Sequence, residues 1–141
     1  MTRVICIGHP LLAEDQAGQQ LYQRWQKLQF GEEVELIEGG LQGLNLLRFF
    51  EDCERVILVD NVCDYLAEPG IIHLRGEQIQ AAVSRHFDHS AGLAYLLALL
   101  PNLLEEIPEI ELIGIEGEVT ESLAAEATDQ LLLLLGGRSA A

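Results

Sequence analysis

Val56-Ile57-Leu58-Val59-Asp60-Asn61 is a continuous apolar run closed by a carboxylate and an amide. An apolar run this short, bounded by polar residues, is the pattern of a strand buried on both faces. Similar runs lie on either side of it. Val4 to Ile7 is closed by Gly8 and Pro10, and Val34 to Ile37 by Glu38-Gly39-Gly40, which reads as a chain break. Ile71 to Leu74 reads as a strand near the sheet edge, and Ile110 to Ile115 as the last strand. Between them lie helical patterns. One begins near Glu14 or Asp15 and carries Ala17, Leu21, Trp25 and Leu28 along one face. A second covers Leu41 to Phe50. Residues 76–85 form an irregular or short helical connection. A third helix opens at His89 or Ser90 and stops at Pro101, and a fourth covers 121–135, capped by Thr120 or Ser122 and ended by Gly136-Gly137. The order β-α-β-α-β-β-α-β-α predicts an α/β fold with a mostly parallel sheet of about five strands, helices on both faces, and a single domain over residues 1–141.

The 141 residues hold 23 Asp+Glu against 8 Lys+Arg, a net charge of −15. That field repels phosphate backbones and anionic lipid, so nucleic acid and membrane surfaces are disfavoured as partners. An apolar share of 49% supports a real core. No apolar run reaches the length of a membrane span. Leu131 to Leu135 fits the end of a buried helix. Cys6, Cys53 and Cys63 form no CxxC and no even framework, which points to a reducing cytoplasm. Met1-Thr2-Arg3 runs straight into the first strand, without a signal-peptide pattern.

Several chemistries lack local support. There is no GxGxxG, GxxxxGK[ST], HExxH or GxSxG. Acids and histidines remain. In a parallel sheet, strand ends and helix starts meet along one edge, so Asp15, Asp60 and His89 converge there from distant positions. Two carboxylates and an imidazole hold a divalent metal and leave positions open for substrate. Each residue has a plainer reading beside this one. Asp15 suits a helix start, Asp60 a turn, and His89 a cap. His86 lies one helical turn before His89, and His9 sits in the first loop; both are weaker metal candidates. His73, in the edge strand, reads as structural.

Four segments carry a family resemblance along nearly the whole chain. They are Gly8-His9-Pro10-Leu11-Leu12-Ala13-Glu14-Asp15-Gln16-Ala17-Gly18, Glu38-Gly39-Gly40-Leu41-Gln42-Gly43, Val59-Asp60-Asn61-Val62 and His89-Ser90-Ala91-Gly92-Leu93. In this order they resemble the motifs of the maturation proteases of nickel–iron hydrogenases. The chain departs from the pattern at His9, where the family has asparagine. It departs again at Glu14 and Glu38, where the family has aspartate.

The resemblance implies a three-layer α/β/α sandwich. It implies an endopeptidase that removes a C-terminal extension from the hydrogenase large-subunit precursor after nickel insertion. Nickel would arrive with the substrate, other divalent metals being able to substitute, and Asp15, Asp60 and His89 would be its ligands. Asp15 or Glu38 would act as general base. The alternative is a non-enzymatic, metal-binding maturation chaperone that uses the same three residues.

Overall fold

The computed structural model describes residues 1–8, 16–40, 43–86 and 91–140. Five strands form one sheet: β1 Thr2–Ile7, β2 Val34–Gly40, β3 Arg55–Val62, β4 Gly70–Arg75 and β5 Glu109–Glu116. The helices are α1 Ala17–Trp25, a 3₁₀ helix over Gly43–Phe50, α2 Glu77–His86, α3 Ala91–Leu103 and α4 Glu121–Ala140. The strand order is β2-β1-β3-β5-β4. Four strands run parallel, and β4 pairs antiparallel with β5 at the edge.

The expected α/β architecture is present. β3 lies at the centre of the sheet and is buried along its whole length, as its apolar run predicts. One face of the sheet packs Ile5, Ile7, Leu58 and Leu112 against Leu46 and Phe50 of the 3₁₀ helix, Ile79 of α2, and Leu93, Leu96 and Leu100 of α3. The other packs Val4, Cys6, Ile57, Val59 and Ile113 against Leu21 and Trp25 of α1 and Ala127 and Leu131 of α4. Trp25 is fully buried. Its indole Nε1 donates to Thr128 Oγ1 at 2.9 Å, locking the end of α1 to α4.

Several boundaries differ from the sequence reading. β3 does not end at Val59: Asp60, Asn61 and Val62 stay in the strand, paired with Gly114, Ile115 and Glu116 of β5. β2 is not broken at Glu38; it continues through Gly40, with a register shift opposite Cys6/Ile7. A Cβ on Gly39 would lie 2.8 Å from Ile5 Cγ2, so glycine is what lets β2 stay against β1 there. α1 starts at Ala17, after Glu14 and Asp15, and Leu28 lies beyond it, exposed. The second helical segment is a 3₁₀ helix. Residues 77–86 form a regular helix.

Pro101 lies inside α3 rather than at its stop, two residues before the end. A proline so late removes one N–H and leaves almost no helix downstream to disrupt. Gly136 and Gly137 lie inside α4. The leucine run is not wholly buried either: Leu131 is at 0% exposure, but Leu132 and Leu133 stand at 46% and 66%. Thr120 is the cap of α4, its Oγ1 accepting from the Leu123 N–H at 3.1 Å.

Under the C-terminal half of α4 lies a buried charge cluster. Glu111, in β5, is 1% exposed. It is ion-paired with Arg55 of β3, and its Oε2 lies 2.8 Å from His73 Nε2. Arg75, largely exposed, is 3.6 Å away. Arg55 Nη1 also donates to the Leu134 carbonyl at 2.6 Å, tying α4 to the sheet. Burial pushes the Glu111 carboxyl up, but Arg55 and His73 outweigh it and leave it below the usual range. The expectation that His73 is structural fits this position.

Candidate active site at the carboxyl edge of the sheet

Parallel strands bring their carboxyl ends to one edge, and loops leaving that edge build sites in α/β folds. Asp60 lies there, directly after Leu58-Val59, and is 1% exposed. Side chains alternate along a strand. Asp60 therefore shares the face of Leu58 and Val62, the one covered by α3. Its Oδ1 accepts a 2.8 Å hydrogen bond from the Asn61 N–H. The carboxylate is thus fixed from its own backbone, within a strand held on both sides.

Asp15, His89 and His9 lie outside the described residues. His86 is the last residue of α2. Gly8, just before His9, donates its N–H to the Gly40 carbonyl at 3.1 Å. Ala17, two residues after Asp15, donates its N–H to Asn61 Oδ1 at 2.9 Å. Both anchor points therefore sit at the Asp60 edge. α3 ends by the Met1 edge, where Leu104 lines a cavity with Met1 and Glu54. Thirteen residues of helix span about 20 Å. Its first residue, Ala91, thus starts toward the Asp60 edge, two residues after His89.

Glu38 stands apart from Asp60. It alternates with Ile37, which packs on the α3 face, and its register partner is Cys6, which packs on the α1 face. Glu38 is exposed on that α1 face. Burial, and secondarily the Glu38 carboxylate, push the Cys6 thiol far above its ordinary value. The structure does not bring Glu38 and Asp60 to one face of the sheet. Among the described residues, no three His, Cys, Asp or Glu side chains come together as a metal site.

Two residues at this edge carry geometry that the sequence reading left unassigned. A Cβ on Gly18 would lie 2.0 Å from the Ile7 carbonyl oxygen, so glycine lets the start of α1 press onto the end of β1. Asn61 is 7% exposed. Its Nδ2 donates to the Ile115 carbonyl at 3.0 Å and the Gly117 carbonyl at 3.3 Å, while its Oδ1 takes the Ala17 N–H. The partners lie 44 to 56 residues away in sequence, beyond any local signal. A cavity of about 180 Å³ opens beside this junction, lined by Gln16, Ala17, Gln20, Gly117, Glu118 and Val119. Two larger cavities lie at the opposite edge, near Met1 and near Gly76, away from Asp60.

Comparison with known proteins gives this edge its setting. The family model for hydrogenase maturation proteases matches residues 19–132. The chain belongs to the hydrogenase maturation protease family. It is accordingly a protease, in agreement with the resemblance its motifs carry.

Solved structures of the same kind share the fold. The hydrogenase maturating endopeptidase HybD from E. coli superposes with a TM-score of 0.85 at 23% identity, over 97% of this chain and 93% of that one. An E. coli endopeptidase solved in solution gives a TM-score of 0.81 at 23% identity, over 96% and 93%. The nickel–iron hydrogenase maturation protease HybD from Thermococcus kodakarensis gives 0.76 at 22% identity, over 95% and 98%. No curated protein matches the chain. Among the described residues, no helix is long and apolar enough to cross a membrane.

Proposed function

We propose that this protease removes a C-terminal extension from the large-subunit precursor of a nickel–iron hydrogenase, and does so only after nickel has been inserted. The observation that carries the reading is the family match across residues 19–132. The Thermococcus relative, described as a nickel–iron hydrogenase maturation protease, supports the choice of substrate class.

Nickel enters this scheme as part of the substrate. Asp60, buried at the carboxyl edge and oriented by its own strand, is one ligand. Asp15 and His89 are the others, each two residues from a helix whose start belongs to this edge. Two carboxylates and one imidazole form an incomplete coordination sphere, one the substrate's own ligands complete. Recognition then depends on whether the precursor carries its metal. An empty precursor lacks the central bonds and is rejected. The metal supplies Lewis-acid chemistry at the scissile carbonyl or its attacking water.

Asp15 is the candidate general base, being a carboxylate that would be adjacent to that water. Glu38, on the other face, suits contact with the substrate chain better than proton transfer. Three free cysteines fit a reducing cytoplasm as the place of reaction.

The test is intact mass spectrometry on purified precursor, nickel-loaded and nickel-free, each mixed with the protein. Loss of one defined C-terminal peptide from the loaded sample alone is the expected result, and Asp60→Asn should abolish it. Equal cleavage of both precursors would remove the nickel-gating claim. An unchanged mass in both, beside an active control protease, would favour a chaperone role.

A further inference from the structure

Among the described residues, the start of α1 carries no side-chain cap of its own. The first N–H groups of any helix lack intrahelical acceptors. Gln16, at the N-cap, supplies no side-chain cap; its Oε1 instead accepts from Gln20 Nε2 at 3.3 Å. No acid stands in the first turn. The Ala17 N–H is met from across the sheet edge by Asn61 Oδ1.

The same amide spends its two N–H donors on the carbonyls of Ile115 and Gly117. Its backbone N–H holds the Asp60 carboxylate. One residue therefore joins three chain segments: β3 at Asp60, the end of β5, and the start of α1.

Only an asparagine of this length meets all these partners. Accepting at Oδ1 and donating twice at Nδ2 are simultaneous demands. Aspartate would set a charge against two carbonyl oxygens. Serine is short and has one donor. Leucine has the shape and none of the bonds.

We propose that Asn61 is a positioning residue for metal recognition: its amide fixes the start of α1, at Ala17, at a set place relative to Asp60. This rests on the nickel reading above. The amide need not touch metal or substrate. It acts by setting where α1 begins, two residues after one proposed ligand, from a position adjacent to the other. Gly18 serves the same end, since the absence of a Cβ lets α1 seat against Ile7.

The experiment titrates Ni²⁺ into the isolated protein by calorimetry and records thermal midpoints beside it. The proteins are wild type, Asp60→Asn, Asn61→Leu, Asn61→Ser and Thr128→Val. The last removes the bond that ties the far end of α1 to α4, and so controls for general loosening of that helix. Expected is a rise of at least tenfold in the nickel Kd for Asn61→Leu, or for Asn61→Ser should the leucine variant not fold. Thr128→Val should lose a comparable amount of thermal stability and stay within twofold of the wild-type Kd. In precursor cleavage, Asn61→Ser should lose activity in KM for the nickel-loaded form more than in kcat.

If the Asn61 variants keep wild-type nickel affinity while Asp60→Asn loses it, Asn61 is structural only and the proposal fails. If Thr128→Val weakens nickel binding as much as the Asn61 variants, the effect is general loosening and the proposal fails again. If Asp60→Asn also binds as wild type does, the nickel reading itself has failed and the positioning role goes with it.

Discussion

Replacing Glu111 with alanine should cost far more than an ordinary ion-pair deletion. Glu111 is 1% exposed, and the Arg55 side chain is 9% exposed. Removing one partner of a buried pair leaves the other charge uncompensated, at about 3–5 kcal/mol. Two features set this case at the lower end. Arg55 keeps the Leu134 carbonyl as an acceptor, and Arg75 is exposed enough to be solvated without Glu111. We therefore expect a loss of about 3 kcal/mol. With a urea m-value of about 1.5 kcal/mol/M, the unfolding midpoint falls by about 2 M.

The double variant Arg55→Met/Glu111→Met should lie within about 1 kcal/mol of wild type, because burial of two apolar groups replaces two desolvated charges. The pH dependence has a definite sign. The folded Glu111 carboxyl is held below its unfolded value, so its contribution is complete above about pH 4.3 and is lost as pH falls through the lower, folded value. The gap between wild type and Glu111→Ala should hold above pH 5 and narrow below pH 4. Urea melts across that range check both claims. A single variant costing under about 1 kcal/mol, or a double variant costing more than the single, would refute the reasoning.

Gly18→Ala puts a Cβ against the Ile7 carbonyl, backbone against backbone. It should cost about 3 kcal/mol by denaturant melt, the upper end for overpacking, and should lower precursor cleavage beyond what that instability explains. Thr128→Val removes the partner of the buried Trp25 indole and should cost about 1–2 kcal/mol by the same melt. Cys6 is 1% exposed and its thiol is pushed up by burial and then by Glu38. Thiol labelling of the native protein at pH 8 should therefore leave Cys6 unmodified, as peptide mapping would show, until urea unfolds the chain.

The sequence showed the layers of the fold more plainly than their edges. The run Val56 to Val59 has no reading but a buried strand, and Ala17, Leu21 and Trp25 mark the inner face of α1 because burial imposes their spacing. The failures lie where distant partners outweigh local chemistry. Asp60-Asn61 looks like a turn in isolation. It is strand because β5, some fifty residues later, pairs with it. Gly39-Gly40 looks like a break, but Gly39 is there for the nearness of Ile5.

At the carboxyl edge, the place of Asp60 was legible because a buried apolar run leads straight into it, although the strand continues to Val62. The bridging role of Asn61 was not, since all three partners of its side chain are remote in sequence. Glu38 was placed near the chemistry by its motif. The alternation of a strand now extended through Gly40 puts its side chain on the opposite face from Asp60.

The strand order has a consequence for how the molecule comes into being. β5 sits between β3 and β4, yet it is synthesised after both. Until residue 116 has left the ribosome, β3 has an open flank and β4 has no partner in the sheet. Pairing across such sequence distances is slow to find. Asn61 meets its β5 acceptors at the same moment, because those carbonyls belong to Ile115 and Gly117. The carboxyl edge is therefore assembled late in translation, and a nascent chain has no finished edge around Asp60 until β5 is in place.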